Sequence, residues 1–338
     1  MRKRFLVFGI ILLFICMNFN PSFAFYNPVS SGNTLYVGGS GEGNYSNIKD
    51  AINASSPGDT IFVYNGTYYE DEVDIDKSNI TILGENKNTT IIDGGGSFQT
   101  IRIWSVKGGK ISGFTIRNCS NWHSNSRTIH LADVDNYEIS DNIITATRVD
   151  SGAQAIMLIG CSYITIANNS ISESTAGIIL TYSLVKDSVY NLISGNIFYN
   201  NNVGISIGHG SDHTAKNIIS ENIFYENNYG IYDYDGFWES RIKTLKNRNI
   251  IRNNDFYKNN SVQATFFEQP MLFEMFFAMF ITGKGISYAT NWTENYWETT
   301  ETRLHKIYGY FPGLGLYGTT PAVAFDLHPK NTPNRPLK

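Results

Sequence analysis

The sequence predicts an all-β solenoid, in which a single chain coils through successive parallel turns. Three observations support this fold class. A short motif recurs roughly every 27 residues, a second strand-like string lies between its copies, and no segment of helical periodicity separates the two. Strands this short can pair only if each turn stacks on the preceding turn, about 4.8 Å away. We therefore expect one continuous apolar interior along the axis of the coil.

The repeated motif begins with an isoleucine and contains strand-forming residues on both sides of a polar corner. Its copies are ISGFTIRN at Ile111, ISDNIITA at Ile139, IANNSISE at Ile166, ISGNIFYN at Ile193, ISENIFYE at Ile219 and IRNNDFYK at Ile251. The strings between them, such as TIHLAD and GISIGH, have apolar residues at alternate positions, as a strand with one buried face requires. Each copy is therefore interpreted as one turn.

Asparagine recurs three residues after the anchor isoleucine. The row comprises Asn142, Asn169, Asn196, Asn222 and Asn254, with Asn295 as a further member. Asparagine tolerates left-handed backbone angles, so we expect these residues at tight corners, with their amides hydrogen-bonded from turn to turn. On this reasoning Asn196→Leu destabilises the protein more than Asn201→Leu, which lies outside the row.

The first 24 residues have the composition of a secretory signal. A basic start, an apolar stretch and small residues at Ser22 and Ala24 predict cleavage before residue 25 and an exported protein, secreted, periplasmic or at the cell surface. An uncleaved anchor is the alternative. The formal net charge of −4 argues against a nucleic-acid partner. After cleavage only Cys119 and Cys161 remain, and two buried thiols are favoured over a disulfide bond.

The remaining chain divides into three predicted regions. Residues 25–98 form an N-terminal cap and the first turns, with a short helix that buries Ile48, Ala51 and Ile52 and leads into the first strand, TIFV. Residues 99–267 contain the repeats. Residues 268–338 contain an apolar segment and an aromatic stretch that we expect to form an irregular C-terminal cap.

Three methionines lie four residues apart in the apolar segment: Met271, Met275 and Met279. On a helix they would share one face, and three thioethers could bind Cu(I). Because phenylalanines are interleaved with them, packing over the end of the coil is the favoured interpretation, with a protein partner or a membrane surface as alternative contacts for residues 270–282.

The repeats resemble the right-handed parallel β-helix of the pectin-lyase-like superfamily. The Asn-Tyr-Trp run ending at Trp297 and the closing Asp-X-His-Pro from Asp326 to Pro329 are similar to the C-terminal part of NosD-type β-helix proteins. This resemblance implies a single-stranded right-handed parallel β-helix. It also implies a role in copper-site maturation, for which His209 and His213 in GHGSDH are candidate ligands.

Proteins of this fold usually bind their ligands on an outer strand face. The outward column of the second string is predicted to contain His130, Met157, Ile179, Ser206 and Tyr232, with the next row at Asp133, Gly160, Tyr182, His209 and Asp235. Aromatic rings beside carboxylates suit sugar rings. The candidate ligand-binding residues are Asp133, Tyr182, Tyr232, Tyr234 and Trp238.

Catalysis would require two suitably spaced carboxyl groups. Asp212, Asp233 and Asp235 are weak candidates, and no motif singles them out. Since the predicted columns contain no arginine or lysine, an acidic polysaccharide is not favoured. The leading hypothesis is therefore a non-catalytic module that binds carbohydrate or a cell-envelope component. A copper-binding accessory protein and an enzyme that cleaves neutral glycans are the alternatives.

Overall fold

The computed structural model describes residues 32–119, 126–146, 152–208, 214–234, 249–259, 262–267, 290–293, 295–297, 305–312, 319–326, 329–330 and 332–335. For residues 233–234, 262–267, 290–293, 305–312 and 319–326 only the backbone is described. In this part of the chain no helix is long and apolar enough to span a membrane.

The described chain folds into three sheets that run the length of a solenoid, and each complete turn contributes one strand to each sheet. Sheet A contains β1 Thr34–Val37, β2 Thr60–Val63, β5 Ile80–Gly84, β8 Lys107–Ser112, β11 Asp135–Ser140, β14 Thr165–Ala167, β17 Leu192–Ser194, β20 Ile218–Ser220, β23 Asn249–Arg252 and β26 Thr290–Thr293.

Sheet B contains β3 Gly66–Tyr69, β6 Thr90–Ser97, β9 Thr115–Cys119, β12 Ile143–Thr145, β15 Ser170–Ser172, β18 Ile197–Tyr199, β21 Ile223–Tyr225, β24 Asp255–Tyr257 and β27 Tyr296–Trp297. Sheet C contains β4 Val73–Ile75, β7 Gln99–Trp104, β10 Arg127–Ala132, β13 Gln154–Ile159, β16 Ala176–Thr181, β19 Val203–Ile207, β22 Tyr229–Tyr234, β25 Val262–Phe267, β28 His305–Pro312 and β29 Thr319–Asp326.

The strands within each sheet pair in parallel, turn upon turn, as the repeats predict. The anchor isoleucines lie in register along sheet A, where Ile139 pairs with Ile166 and Ile166 with Ile193. The final pair, β28 with β29, is antiparallel. The C-terminal aromatic stretch, predicted to form an irregular cap, contains these two regular strands, which extend the end of sheet C.

The N-terminal cap contains the predicted helix, α1, over Ile48–Ala54. Asn47 caps it by accepting a hydrogen bond from the backbone N–H of Asp50, and Ile48, Ala51 and Ile52 are buried. TIFV was predicted to be the first strand, but it is the second. β1 precedes the helix and pairs in parallel with β2, so the backbone edge of β2 is covered from the start of the coil.

The interior is filled by columns of like residues. One such column in sheet B consists of four stacked rings, those of Phe198, Phe224, Phe256 and Trp297. The centroids of consecutive rings are 4.9, 4.8 and 4.5 Å apart, and the ring planes are nearly parallel. All four lie on successive turns and are buried. Stacked aromatic pairs contribute about 0.5–1.5 kcal/mol beyond the burial of their surface, so this column stabilises the packing of one turn on the next.

The six predicted asparagines form one buried column at the corner between sheets A and B. At each step the side-chain Oδ1 accepts from the backbone N–H and the Nδ2 of the asparagine on the preceding turn, as between Asn196 and Asn222 at 2.9 and 3.0 Å. The remaining amide N–H of Asn196 donates to the carbonyl of Ile166. The column therefore satisfies backbone groups that a tight corner would leave buried and unpaired.

The predicted hydrogen bonds from turn to turn are present, but the prediction of left-handed backbone angles at these asparagines is wrong, because none of them has a positive φ. The left-handed residue is the one before the asparagine on five of these turns: Asp141, Asn168, Gly195, Glu221 and Asn253. Asparagine is required at its position because a short amide can donate and accept within the buried corner, whereas the exposed left-handed position accepts several residue types.

Two further amide columns occupy the other corners. The column between sheets B and C contains Ser174, Asn201, Asn227 and Asn259, each hydrogen-bonded to the next. The column between sheets C and A contains Asn191, Asn217 and Asn249, linked in the same way. Asn201 is 2% exposed and is hydrogen-bonded like Asn196. The prediction that Asn201 is the less important of the two therefore rests on a premise that the structure contradicts.

Candidate functional site

The outer face of sheet C presents an in-register column of side chains along the solenoid. Pairings between successive strands align Asp74, Arg102, His130, Met157, Ile179, Ser206, Tyr232 and Thr265. These positions alternate with buried ones such as Ile103 and Leu131. The predicted column from His130 to Tyr232 is therefore present, and it extends two turns further toward the N-terminus.

This extension corrects the prediction that the outer columns contain no cation. Arg102 lies directly beside His130 in the column, and Arg127 begins the same strand as His130. Acidic ligands are therefore not excluded by the charge of this face. Arg102 was not predicted here because its turn has no copy of the repeated motif.

Arg102 is held by carboxylates. Its Nε and Nη2 atoms donate to the two carboxylate oxygens of Asp74 at 2.6 and 2.7 Å, and Nη1 lies 3.5 Å from Glu72. The hydrogen bond with Asp74 is the main reason that the pKa of Arg102 is raised. The guanidinium also lies 5.8 Å from the ring centroid of Trp104, which is 46% exposed. The charge of Arg102 is therefore compensated within the protein.

His130 is a neutral imidazole with one unused acceptor. Its Nδ1 lies 3.1 Å from Oε1 of Gln99, and because an amide oxygen can only accept, Nδ1 carries the proton. Nε2 is buried and has no hydrogen-bond partner among the described residues. Burial, followed by the charges of Arg127 and Arg102, lowers the pKa of His130 to about 4. At neutral pH the Nε2 atom is therefore an acceptor.

Arg127 carries a charge that no described carboxylate compensates. Its Nε donates to the thioether of Met157 at 2.7 Å, and its guanidinium lies 5.6 Å from the centroid of the Phe98 ring. Among the described residues it forms no ion pair, and burial lowers its pKa. Its terminal N–H donors form no hydrogen bond with a described residue, so they retain hydrogen-bonding capacity.

We call Phe98, Gln99, Arg102, Trp104, Arg127, His130 and Met157 the arginine–histidine cluster. Two partly exposed aromatic rings, those of Phe98 and Trp104, lie at its edges, and each contacts one guanidinium. Gln99 and Met157 are each only 8% exposed. The cluster therefore combines apolar ring faces with a cation and an acceptor on a rigid sheet.

The sequence model of the family described as the right handed beta helix region matches residues 99–287 of this chain. The chain belongs to this family. The match covers more than half of the sequence and establishes the predicted fold as a right-handed parallel β-helix.

Solved structures with partial likeness to this β-helix include three enzymes. The alginate lyase from Paenibacillus sp. str. FPU-7 is 17% identical with a TM-score of 0.49, over 79% of this chain and 88% of its own. The polygalacturonase from Erwinia carotovora ssp. carotovora is 12% identical with a TM-score of 0.45, over 71% and 79%. The pectin methylesterase from carrot is 13% identical with a TM-score of 0.41, over 77% and 81%. No curated protein sequence matches this β-helix.

Beyond the outward column of sheet C, the structure describes only part of the predicted row Asp133, Gly160, Tyr182, His209 and Asp235. Asp133 has a positive φ, and its Oδ1 accepts from the hydroxyl of Ser183 at 2.9 Å, over Gly160. Any side chain at Gly160 would meet both of these groups. Asp133 therefore fixes the turn after β16, and a ligand would compete with Ser183 for its carboxylate. Tyr182 precedes Ser183 in that turn.

The other predicted site residues lie on parts of the β-helix that are not fully described. Asp233 is in register with Ile207, which is fully buried, whereas Tyr232 belongs to the outward column. Of Asp233 and Tyr234 only the backbone is described. Outside the described residues lie His209, Asp212, His213, Asp235, Trp238, Met271, Met275 and Met279. The copper site remains a prediction, and within the described residues no group of three metal-binding side chains occurs.

Both cysteines of the repeats are free and buried in the β-helix, as predicted. Burial raises the pKa of the Cys161 thiol to about 12, and its sulfur lies against the carbonyls of Leu131 and Ile159. The hydroxyl of Thr128 lies 3.6 Å from the sulfur of Cys119. At neutral pH the Cys161 thiol is therefore protonated and serves as a packing group.

Proposed function

We propose that the outer face of sheet C is a carbohydrate-binding surface and that the protein acts as an exported glycan-binding module. The observation that carries this proposal is the arginine–histidine cluster, in which two aromatic rings flank polar groups on a regular parallel sheet. Sugars require both features, since their C–H faces stack on rings while their hydroxyls need hydrogen-bond partners.

The column geometry favours an extended ligand over a compact one. Side chains of successive turns repeat about every 4.8 Å along one straight line, and the described column runs from Asp74 to Tyr232. Tyr229 and Tyr232 add a second aromatic pair near its other end, with ring centroids 6.1 Å apart. An oligosaccharide lying along the solenoid could contact several turns at once.

The proposal assigns no reaction to this surface. The described carboxylates that contact the cluster, those of Asp74 and Glu72, are both paired with Arg102. Neither is placed as one of two free carboxyl groups on either side of a glycosidic bond. A cell-envelope polymer is therefore proposed as a binding partner and not as a substrate.

A glycan array with the purified protein tests the proposal, with the double variant Trp104→Ala, Tyr232→Ala as the comparison. We expect the wild-type protein to bind a subset of oligosaccharides and the double variant to lose that binding at least tenfold. Tyr69→Ala is the matched control, because Tyr69 is 77% exposed on sheet B. Absence of glycan binding by the wild-type protein, or equal binding by the double variant, would refute the proposal.

A further inference from the structure

Exposed apolar side chains are concentrated at the corner between sheets C and A and on the adjacent outer face of sheet A. Among the described residues nine large apolar side chains are exposed, and five of them lie here: Tyr163, Leu184, Val185, Tyr190 and Leu192. These five belong to two consecutive turns. Single exposed apolar residues are ordinary on a protein surface, whereas a cluster of them marks an interaction surface.

The two most exposed members lie at the tip of a tight turn between β16 and β17. The backbone N–H of Ser183 donates to the carbonyl of Lys186 at 2.9 Å, and the N–H of Lys186 donates to the carbonyl of Ser183 at 3.4 Å. Between them Leu184 and Val185 are 98% and 87% exposed. The hydroxyl of Ser183 donates to Asp133, so this turn holds two apolar side chains in solvent on an anchored base.

Beside this turn lie Tyr163, Tyr190 and Lys216, which we call the tyrosine–lysine column. Each precedes by two residues a member of the in-register series Thr165, Leu192 and Ile218 on sheet A. The two tyrosine rings stack with centroids 5.2 Å apart and planes 6° apart. Nζ of Lys216 donates to the hydroxyl of Tyr190 at 2.9 Å and lies 4.9 Å from the centroid of its ring.

The corner itself does not require these tyrosines. Tyr163 and Tyr190 both have a φ of 60°, in the left-handed region that bulky side chains rarely adopt. On two earlier turns the same position is occupied by Asn79 and Asn136, a residue type that adopts this conformation easily. The exposed aromatic stack is therefore explained by what it contacts and not by the path of the backbone.

The outer face of sheet A continues the apolar surface between two opposite charges. Thr165, Leu192, Ile218 and Ile250 are in register on four successive turns. Glu138 is in register one turn before Thr165. At the other end Arg252 is exposed in the strand of Ile250, and it forms no ion pair with a described residue. The two charges are four turns apart, about 19 Å.

We infer that this surface binds a second copy of the chain, with the two solenoids antiparallel and related by a two-fold axis through the turn of Leu192. Each turn then faces the turn that lies equally far on the other side of the axis. Tyr190 and Leu192 face their own counterparts, and Tyr163 faces Lys216 of the second copy. The inference concerns sheet A and is independent of glycan binding on sheet C.

The distribution of charge favours this partner and this orientation. Parallel copies would bring Lys216 against Lys216 and Glu138 against Glu138, and like charges in contact weaken association. Antiparallel copies place Glu138 at the end that carries Arg252, and the two-fold axis repeats this contact. Lys216 also gains a second tyrosine ring. Because the surface is short, the interface belongs to the class that buries less than about 1,200 Å² in total, so we expect a reversible dimer with a micromolar Kd.

Sedimentation velocity of the purified protein, from about 1 to 200 μM, tests the inference, because the dimer fraction must rise with concentration. The double variant Leu184→Ser, Val185→Ser should associate at least tenfold more weakly, since both side chains lie beside the two-fold axis. Tyr69→Ser is the matched control, because Tyr69 is 77% exposed on sheet B. Circular dichroism of each variant checks that the fold is retained.

A charge exchange tests the antiparallel arrangement. Glu138→Arg alone and Arg252→Glu alone should each associate at least fivefold more weakly than the wild-type protein, because each variant brings like charges together. In an equimolar mixture of the two variants, arginine faces glutamate at both ends of the interface. The mixture should therefore associate as a heterodimer with nearly the wild-type affinity.

Three results would overturn the inference. One is a monomer at all concentrations, and another is a dimer that the Leu184 and Val185 substitutions leave unchanged. A mixture that associates no better than either charge variant alone would exclude the antiparallel arrangement. Vesicles of phosphatidylcholine and phosphatidylglycerol are included as a further probe. Binding to them by a monomeric wild-type protein, lost in the double serine variant, would assign the surface to lipid instead of a second copy.

Discussion

Arg102 and Asp74 are joined across two adjacent turns by a pair of hydrogen bonds, from Nε to Oδ1 at 2.6 Å and from Nη2 to Oδ2 at 2.7 Å. This pair gives the two arginines of the cluster different surroundings. Arg102 is compensated by Asp74, whereas Arg127 forms no ion pair with a described residue. The same residue type therefore occurs twice on one face, once with a counter-ion and once without a described one.

Asp74→Asn should make this face more attractive to anions. The substitution removes the charge that compensates Arg102, so we expect an acidic oligosaccharide to bind about two- to fivefold more tightly at low salt. The unfolding free energy should change by less than about 1 kcal/mol, because both partners are partly exposed. Glu138→Gln, which breaks an ion pair of similar exposure with Lys110 on sheet A, is the control. Unchanged or weaker binding by Asp74→Asn would contradict the role assigned to Arg102.

His130 should make the protein less stable in mild acid. Its pKa is about 4 in the folded protein, below the ordinary value of about 6.5. Between these values the unfolded chain takes up a proton that the folded protein does not, so stability is lost as the pH falls. In His130→Gln we expect the decrease in unfolding free energy between pH 6.5 and pH 5 to be smaller by about 1–2 kcal/mol. Parallel profiles from denaturant titrations would show that His130 is not buried in its neutral form.

Asn196→Leu and Asn201→Leu should destabilise the protein by similar amounts. Each asparagine is buried and links its turn to the next through two hydrogen bonds to one Oδ1. Losing these bonds and leaving backbone groups unpaired should cost about 2–4 kcal/mol in either variant. Asn33→Leu, at an exposed position before β1, is the control. A much smaller effect at Asn201 would restore the sequence-based expectation that only one corner depends on asparagine.

Asp255 should hold the C-terminal residues against the solenoid. Its carboxylate accepts from the backbone and the side chain of Asn334 and from the backbone of Arg335, at 2.8, 2.9 and 2.5 Å. Asp255→Ala should speed amide exchange at residues 334–335 at least tenfold and lower the melting temperature by a few degrees. Asp76→Ala, which removes an exposed carboxylate, should do neither. Unchanged exchange at Asn334 would show that other contacts hold this segment.

Most of the fold could be predicted from the repeats, because every turn of a parallel solenoid contains the same contacts. The anchor isoleucines and the column from His130 to Tyr232 follow from alternation alone. The two other amide columns were not predicted, because Asn191 and Asn201 lie outside the repeated motif that begins at the anchor isoleucine. Sequence periodicity shows which residues repeat, but it does not show which corner each repeat closes.

The candidate site could not be predicted in the same way. Arg102 lies on a turn that lacks the motif, and its pairing with His130 is visible only in the strand register. The unused acceptor of His130 depends on the side-chain contact with Gln99, which comes from the preceding turn. Such contacts depend on side-chain rotamers and burial, and a repeat pattern contains neither.

The asparagine column between sheets A and B also tells how this molecule can change over evolutionary time. Consecutive members are 26 residues apart at Asn196 and Asn222, 32 apart at Asn222 and Asn254, and 41 apart at Asn254 and Asn295, yet their hydrogen bonds keep lengths of 2.9–3.0 Å. The additional residues enter elsewhere in the turn, around the ends of the sheet C strands. One corner thus preserves the order of the turns while the segments that follow the sheet C strands differ in length, so the chain can gain residues without rebuilding the scaffold.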